Sequence, residues 1–265
     1  MYLTDCHTHS HLSPDGFVPL ADMARAALEA GLSELCITDH CDLLTGHGQP
    51  VDGYPWAPAV AQFRETAPQF EGRLTLRLGL EFGSGHLNPA LSEKILSLPE
   101  LDFVIGSVHN LSPQAGGTDF YYLDYQTRAD CDAALDNYFD SLAELAETDY
   151  YDVLGHIIYP LRYMHGLGSM DPYYDRIREI MRIAAQKGRG IEVNTYRGRT
   201  LSEWRPVLEY WREAGGEIVT VGSDAHRPEH VGLGVREAYR LLRDVGFRYV
   251  AVYEKRKSNL IPILS

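Results

Sequence analysis

Residues 19–40, PLADMARAALEAGLSELCITDH, contain the alternation that decides the fold. Residues 19–31 begin with a proline and end with a glycine, as α-helices commonly do. Residues 35–38 form a short apolar run typical of a β-strand, and the run stops at Asp39 and His40. The stretch therefore predicts a helix followed by a strand that carries polar side chains at its carboxyl end.

The same alternation continues along the chain. We predict further strands at 74–80, 103–108, 153–155, 191–193, 218–221 and 249–253, and helices at 130–147, 173–187, 201–214 and 232–245. Strands that alternate with helices pair in parallel, because each helix supplies the crossover connection. Seven or eight such units predict one closed α/β barrel domain over residues 1–265, with a doubly wound open sheet as the alternative.

Composition limits the classes of partner. Hydrophobic residues make up 45% of the chain and charged residues 23%, which is typical of a globular protein. The 24 Lys and Arg against 37 Asp and Glu leave a formal net charge of −13, which argues against binding to nucleic acid or to an anionic membrane. A small phosphorylated substrate stays possible, because a few local charges dominate inside a pocket. The oligomeric state is not predicted.

The cysteines and the first residues predict the compartment. The chain has four cysteines and no Cys-x-x-Cys pair, too few for a disulfide scaffold: Cys6, Cys36, Cys41 and Cys131. The amino-terminal residues lack the basic and apolar regions of a secretory signal, and no apolar run approaches the length of a membrane span. We therefore expect a cytoplasmic protein.

The polar residues fall at the ends of the predicted strands. Eight side chains that can ligate a metal stand at or just after apolar runs: His7, His9, His40, Glu81, His109, His156, Asp224 and His226. Each of them alone has an ordinary explanation as a turn, core or surface residue. The carboxyl ends of barrel strands share one face, however, and that face carries the active site. We therefore expect these side chains to converge.

The donor types indicate the chemistry. Residues two apart on a strand face the same side, so His7 with His9, and Asp224 with His226, can reach one ion. Nitrogen and oxygen donors without thiolate suit zinc, manganese or iron, and they leave positions open for water. A carboxylate such as Glu81 can bridge two cations. The pattern predicts a hydrolytic site with several metal ions.

At this point the chain resembles the polymerase and histidinol phosphatase (PHP) family of metal-dependent phosphoesterases. The motifs run in family order over nearly the whole chain: Asp5-Cys6-His7-Thr8-His9-Ser10, Ile37-Thr38-Asp39-His40, Gly79-Leu80-Glu81, Ser107-Val108-His109, Gly155-His156 and Ser223-Asp224-Ala225-His226. Within the family, the length of the chain resembles that of the monofunctional histidinol-phosphate phosphatases. Two local features strengthen that resemblance: Ser13-Pro14-Asp15-Gly16, and Ile191-Glu192-Val193-Asn194-Thr195 before an arginine-rich turn.

The resemblance implies a distorted (β/α)7 barrel with three metal ions at the carboxyl ends of the strands. It implies three ligand groups: His7, His9, Glu81 and Asp224 for the first ion, Glu81, His109 and His156 for the second, and Asp15, His40 and His226 for the third. Many members carry histidine where this chain has Asp15, and Ser-Pro-Asp-Gly is also favourable turn chemistry. The third site is therefore the least defined by the sequence.

The resemblance also implies a reaction, the hydrolysis of L-histidinol phosphate to L-histidinol and phosphate in histidine biosynthesis. A hydroxide that bridges the first two ions would attack phosphorus, and Asp224 or His226 would carry a proton to the leaving alkoxide. Arg162 and one of Arg197 and Arg199 would bind the phosphate.

Several points remain open at the level of the sequence. Asp42 and Glu192 are candidates to receive a cationic leaving group, although Glu192 can equally serve the core of its own loop. Tyr159, Tyr163 and Tyr196 are candidates to flank an imidazole. The alternatives to histidinol phosphate are another small phosphomonoester, a phosphotyrosyl peptide or a nucleotide. A non-catalytic metal-binding module is the remaining reading.

Overall fold

The computed structural model describes residues 1–263. Seven strands form one sheet in the sequential order β1 to β7, and the six pairs between neighbours are parallel. Their bounds are β1 Thr4–Thr8, β2 Glu34–Asp42, β3 Thr75–Gly83, β4 Phe103–Ser107, β5 Val153–Leu154, β6 Gly190–Asn194 and β7 Val219–Gly222. A sequential order with adjoining first and last strands is that of a barrel, so the doubly wound alternative is wrong.

The first and last strands meet at the carboxyl end of the barrel. The amide of His9 donates to the carbonyl of Ala225 at 2.8 Å, and the amide of Asp224 donates to the carbonyl of His7 at 2.9 Å. The buried carboxylate of Asp5 reinforces this seam by accepting from the amides of Ser223 and Gly232, each at 2.8 Å. These bonds bring His7 and His9 beside Asp224, although more than 200 residues separate them in sequence.

Seven α-helices connect and cover the strands. Their bounds are α1 Leu20–Glu29, α2 Trp56–Phe70, α3 Pro89–Leu96, α4 Arg128–Ala146, α5 Tyr174–Gln186, α6 Trp204–Glu213 and α7 Val235–Val245. The five helices predicted from the sequence are all present within a few residues. The amino end of α4 has a capping box, in which Thr127 accepts from the amide of Asp130 and Asp130 accepts from the amide of Thr127.

The sequence did not predict α2 and α3. Helix α2 contains Pro58 near its start and Pro68 near its end. A missing backbone N–H costs little in the first turn, and that of Pro68 falls in the last turn. Its buried residues Trp56, Val60 and Phe70 pack on the barrel. The prolines therefore argue against a helix in the sequence, although packing on the barrel stabilises one here.

The last predicted strand, 249–253, exists but lies outside the barrel. It is β8, Tyr249–Glu254, and it pairs antiparallel with β9, Lys257–Pro262. Both turn residues, Lys255 and Arg256, have positive φ, as a tight hairpin requires. The ring of Tyr253 stacks on Phe103 with centroids 4.7 Å apart, and Phe103 begins β4. The hairpin therefore covers the amino end of the barrel and leaves the carboxyl end open.

No helix of the described part of the chain is long and apolar enough to cross a membrane. That residues 1–265 form a single domain stays a prediction.

Candidate metal centre

The donor cluster is organised around the buried carboxylate of Glu81. Strand β2 pairs with β3 so that His40 lies directly beside Glu81, and both residues lie inside strands that extend past their predicted ends. Glu81 Oε1 lies 2.6 Å from His156 Nε2 and 2.9 Å from His109 Nε2. Glu81 Oε2 lies 3.1 Å from His7 Nε2, 3.5 Å from His9 Nε2 and 3.1 Å from His40 Nδ1. The two oxygens thus face two different sets of imidazoles, as expected for a bridging carboxylate.

Asp224 completes the set that contains the two histidines of β1. Its Oδ1 lies 3.7 Å from His7 Nε2 and 3.5 Å from His9 Nε2, and these two ring nitrogens are 3.1 Å apart. Asp224 adopts a left-handed backbone conformation with φ of 59°. That conformation is uncommon for a residue with a side chain, and its cost of about 1–3 kcal/mol is typical of functional sites.

The third set is more open. His226 Nε2 lies 2.9 Å from Asp15 Oδ2, and His40 Nε2 lies 3.7 Å from Asp15 Oδ1. The ring of His9 stacks between those of His226 and His40, at centroid distances of 4.0 and 4.4 Å. Ligand atoms of His9, His40 and His226 come close enough to hold one ion, whereas the side chain of Asp15 is 59% exposed. Asp15 lies beside this group at its solvent side.

Three of these histidines turn their Nδ1 atoms away from the cluster. His7 Nδ1 lies 2.6 Å from Glu192, and His109 Nδ1 lies 2.8 Å from Asp42. His9 Nδ1 lies 3.0 Å from the hydroxyl of Ser13, and because that hydroxyl donates to Asp39, His9 must be the donor.

An Nδ1–H that donates outward leaves the Nε2 lone pair bare and aimed inward. Three such lone pairs and the carboxylates of Glu81 and Asp224 therefore face one another in a buried space, and the set fits cations. Histidines with an outward carboxylate partner are the usual arrangement at metal sites.

The electrostatics agree with that fit. Burial alone lowers the pKa of the His7 imidazole, but the carboxylates of Glu192, Glu81 and Asp224 outweigh burial and hold the pKa well above its usual value. Burial raises the pKa of the carboxyls of Glu81 and Asp224, but neighbouring imidazoles, joined at Asp224 by the Arg162 guanidinium, outweigh it and hold both pKa values well below their usual range. The pKa of His9 lies well below its usual value because of burial and the nearby His226 and His40. The centre therefore combines ionised carboxylates with a His7 ring that favours positive charge and a His9 ring that favours the neutral form.

Arg162 lies beside this centre on a short 3-10 helix, Tyr159–Tyr163, that follows β5. Its guanidinium donates to Asp224 Oδ2 at 2.8 Å and to Asn194 Oδ1 at 2.7 Å, and it lies 4.2 Å from the ring centroid of Tyr196. The side chain is 4% exposed. Its Nε is buried and has no hydrogen-bond partner within residues 1–263.

The two arginines of the β6–α6 loop, Arg197 and Arg199, have different surroundings. Tyr196 and Arg197 both have positive φ, and the turn they form directs Arg197 into the cavity over the centre. Arg199 is exposed and is not among the described residues that line that cavity.

A cavity of about 560 Å³ opens above the donor cluster. Arginine and histidine side chains line it from the loops after β5 to β7: Arg162, Arg197, Arg227, His226 and His230. Acidic and aromatic side chains at the end of β2 and in the loops after β4 and β5 also line it, among them Asp42, Asp119, Tyr121, Tyr122, Tyr159 and Tyr163. Phe17 and Tyr196 add aromatic lining from the loops after β1 and β6. Asp119 accepts from the hydroxyl of Tyr159 at 3.3 Å. One cavity therefore presents both signs of charge to a ligand.

Sequence reasoning missed the partners that stand behind the cluster. Ser13 and Asn194 contact donor residues, and Asp39 accepts from Ser13, but none of the three was singled out for this, and Asp119 was not considered for the cavity. Asn194 ends β6 and Asp39 precedes His40 in β2, so these two share the strand-end signal of the donor residues. Ser13 and Asp119 lie in loops and lack that signal. His86 lies in the short 3-10 helix between β3 and α3, and its side chain is only 6% exposed.

A parallel barrel whose strand ends hold clustered histidines and carboxylates is an architecture used by metal-dependent hydrolases. The family model of the PHP domain matches residues 5–196. The chain therefore belongs to the PHP-domain family.

Two curated relatives align over nearly the whole chain. A probable histidinol-phosphatase of Deinococcus radiodurans is 30% identical, with 96% of this chain and 98% of the relative aligned. A histidinol-phosphatase of Lactococcus lactis is 27% identical, with 96% and 95% aligned.

Two solved structures share the fold. The L. lactis histidinol phosphate phosphatase, complexed with zinc, L-histidinol and phosphate, superposes with a TM-score of 0.84 at 24% identity, and the match covers 97% of this chain and 98% of that one. A putative histidinol phosphatase of Listeria monocytogenes has a TM-score of 0.72 at 16% identity, covering 88% and 99%. Both likenesses bear on the fold alone.

Proposed function

We propose that this protein is a metal-dependent phosphatase that hydrolyses L-histidinol phosphate to L-histidinol and phosphate. The observation that carries the proposal is the donor cluster around Glu81, which lies directly under a cavity lined by Arg162 and Arg197. Alignment with histidinol-phosphatases over nearly the full length of the chain supports this substrate. The reaction belongs to histidine biosynthesis, and we place the protein in the cytoplasm, in agreement with its four free, buried cysteines.

The proposal assigns three metal ions to the cluster, with zinc, manganese and iron as the candidates. The first group is His7, His9, Glu81 and Asp224, the second is Glu81, His109 and His156, and the third is Asp15, His40 and His226. The separate orientation of the two Glu81 oxygens supports the shared use of this carboxylate. When bound, divalent ions neutralise phosphate charge and lower the pKa of water at such sites.

The chain itself supplies the binding of the phosphate. Arg162 and Arg197 both line the cavity, and guanidinium groups match the geometry of phosphate oxygens. The bond from Arg162 to Asp224 holds the guanidinium beside the donor cluster, so that a phosphate would contact both. Asp224 and His226 also line the cavity, and they remain the candidates to hold the proton that the leaving alkoxide needs.

The acidic and aromatic lining favours a cationic, planar leaving group. Asp42 and Asp119 face the cavity together with Tyr121, Tyr159 and Tyr163. A protonated amine pairs with carboxylates, and an imidazole stacks on phenol rings. L-histidinol carries both groups, whereas a simple alkyl phosphate carries neither.

The decisive experiment is a substrate panel assayed with metal-loaded protein. We expect the highest kcat/KM for L-histidinol phosphate, and a drop of at least about tenfold, the loss of one charge-assisted bond, for the same ester without its amino group. Asp119→Asn should reduce that preference while it leaves metal content unchanged. A kcat/KM that is low and similar for all substrates would indicate a phosphatase of another substrate class. The panel therefore includes a phosphotyrosyl peptide and a nucleotide. Absence of turnover with metals bound would identify a non-catalytic metal-binding module.

A further inference from the structure

We infer that Glu192 is a positioning residue that sets the tautomer of His7 and the place of His156 through one buried carboxylate. The inference rests on the proposed metal-dependent function, but on no particular substrate. Glu192 lies within β6. The sequence left two roles open for it: a group at the mouth of the barrel, or part of the core of its own loop.

Glu192 lies between two halves of the donor cluster. Its Oε1 lies 2.6 Å from His7 Nδ1, and its Oε2 accepts from the backbone amide of His156 at 2.9 Å. The amide nitrogen of Asn194 donates to Oε1 at 3.2 Å. The residue is 0% exposed. One side chain thus connects His7, at the end of β1, with His156, which directs its ring to the other oxygen of Glu81.

The surroundings of Glu192 supply hydrogen-bond donors on both sides. A carboxylate meets them because both of its oxygens accept. An amide of the same shape has one acceptor and one donor, so it satisfies one side only. If its oxygen turns to His156, its NH2 group faces His7 Nδ1. His7 must then carry its proton on Nε2, the atom that faces Glu81 and His9, and its inward lone pair is lost.

The barrel leaves space for this pair at one glycine. A Cβ placed on Gly222 of β7 would lie 2.3 Å from His7 Cβ and 2.6 Å from Glu192 Oε1. Any larger residue there would push the two side chains apart. The absence of a side chain at Gly222 is therefore a second feature of the fold that keeps Glu192 against His7.

Glu192 does not contact the substrate space. Among the described residues, it does not line the cavity, whereas Asp42 does, although Asp42 also pairs with a histidine of the cluster. An effect of Glu192 on activity must therefore pass through the residues it contacts, which are His7, His156 and Asn194. This distinguishes it from a residue that recognises the leaving group.

The test compares zinc binding by Glu192→Gln and by a matched control. Glu34→Gln is the control, because Glu34 is also buried, at 2% exposure, but lies at the start of β2 and accepts from Tyr2. Zinc affinity of the metal-free proteins is measured by competition with a chromophoric chelator. We expect the tightest zinc site to weaken about 10- to 100-fold in Glu192→Gln, the usual effect of losing an outer partner of a metal-ligating histidine, and to stay within about twofold in the control.

A second readout separates positioning from a general loss of stability. Nitrogen-15 spectra of histidine-labelled, zinc-loaded protein report the tautomer of each ring. We expect one imidazole fewer with a protonated Nδ1 in Glu192→Gln and no change in Glu34→Gln. Wild-type zinc affinity together with an unchanged tautomer pattern in Glu192→Gln would overturn the inference.

If Glu192→Gln does not fold, Glu192→Asp decides the question. Aspartate keeps two acceptors but is one methylene shorter, so it cannot reach both His7 and His156, and we expect weaker zinc binding. Unchanged zinc affinity in Glu192→Asp would then overturn the inference. These readouts do not depend on the substrate. If wild-type protein is inactive but zinc binding is weakened in the variant, only the proposed function is refuted. If wild-type protein is active but zinc binding is unchanged in the variant, only the inference is refuted.

Discussion

Replacement of Arg162 by alanine tests how the cavity binds phosphate. The guanidinium is held at 2.8 Å from Asp224 and 2.7 Å from Asn194, and it is almost fully buried. These bonds use two of the five N–H donors of the guanidinium, and Arg162 lines the cavity in which the phosphate would bind. A hydrogen bond to a charged group contributes about 1.5–3 kcal/mol, so the loss of one such bond lowers kcat/KM about 10- to 150-fold. We expect most of this loss of kcat/KM to appear as a rise in KM, because the bond to phosphate exists in the ground state as well.

The same replacement also removes a partner of the Asp224 carboxylate. Breaking a buried ion pair costs about 3–5 kcal/mol when the remaining charge is left alone. Here the other oxygen of Asp224 stays 3.7 Å from His7 and 3.5 Å from His9, so the loss of stability should fall at or below the lower end of that range. Metal content should change little for the same reason.

The assay is steady-state hydrolysis of L-histidinol phosphate, with metal content and thermal unfolding measured on the same preparations. Arg162→Lys is the matched companion, because it keeps the positive charge but loses the planar fork that contacts two oxygens at once. We expect its kcat/KM to lie between wild type and alanine. An unchanged kcat/KM in Arg162→Ala, or a loss of activity that follows only a loss of metal, would refute the reasoning.

Three further predictions follow from the same contacts. Arg197→Ala should raise KM about tenfold or more, and Arg199→Ala should leave it within about twofold, because only Arg197 lines the cavity; steady-state kinetics compares the two, and equal effects would contradict the assignment. Glu81→Gln should lose both metal and activity, since neither half of the cluster keeps its shared carboxylate; metal analysis and the phosphatase assay check this, and full retention of both would show the scheme to be wrong. His86 has its pKa lowered to about 4 by burial, so the folded state resists protonation while the unfolded state takes up a proton below about pH 6.5, and stability falls as the pH drops through this window. The His86→Asn variant should therefore lose about 2 kcal/mol less than wild type between pH 7 and pH 5 in urea unfolding, and parallel pH profiles would exclude this cause.

Much of the candidate site could be predicted from local patterns. His7 with His9, and Asp224 with His226, each stand two residues apart after apolar runs, and strand geometry alone puts such pairs on one side. The helices with clear punctuation were also predicted, as in α1, which follows Pro19 and ends before Gly31. These are short-range relations, and a chain of 10–15 residues contains all the information they need.

Other parts depended on residues far apart in sequence. Helix α2 contains two prolines and is stabilised by the barrel on which it packs. Strand β8 has an ordinary apolar pattern, yet its partner is β9, and nothing in its own residues distinguishes a hairpin from a barrel strand. Contacts between distant residues, rather than local preference, determined both elements: packing on the barrel for α2 and strand pairing for β8.

By itself the sequence determined the fold class, the order of the donor motifs and the kind of chemistry, because periodicity and donor type are local properties. Only the tertiary structure decided which oxygen of Glu81 faces which histidines, and that Arg197 rather than Arg199 enters the cavity. It also decided that Glu192 lies behind His7 instead of at the mouth. The physical reason is the closure of the barrel, which brings the ends of β1, β3, β5 and β6 within hydrogen-bond distance although no local pattern records their register.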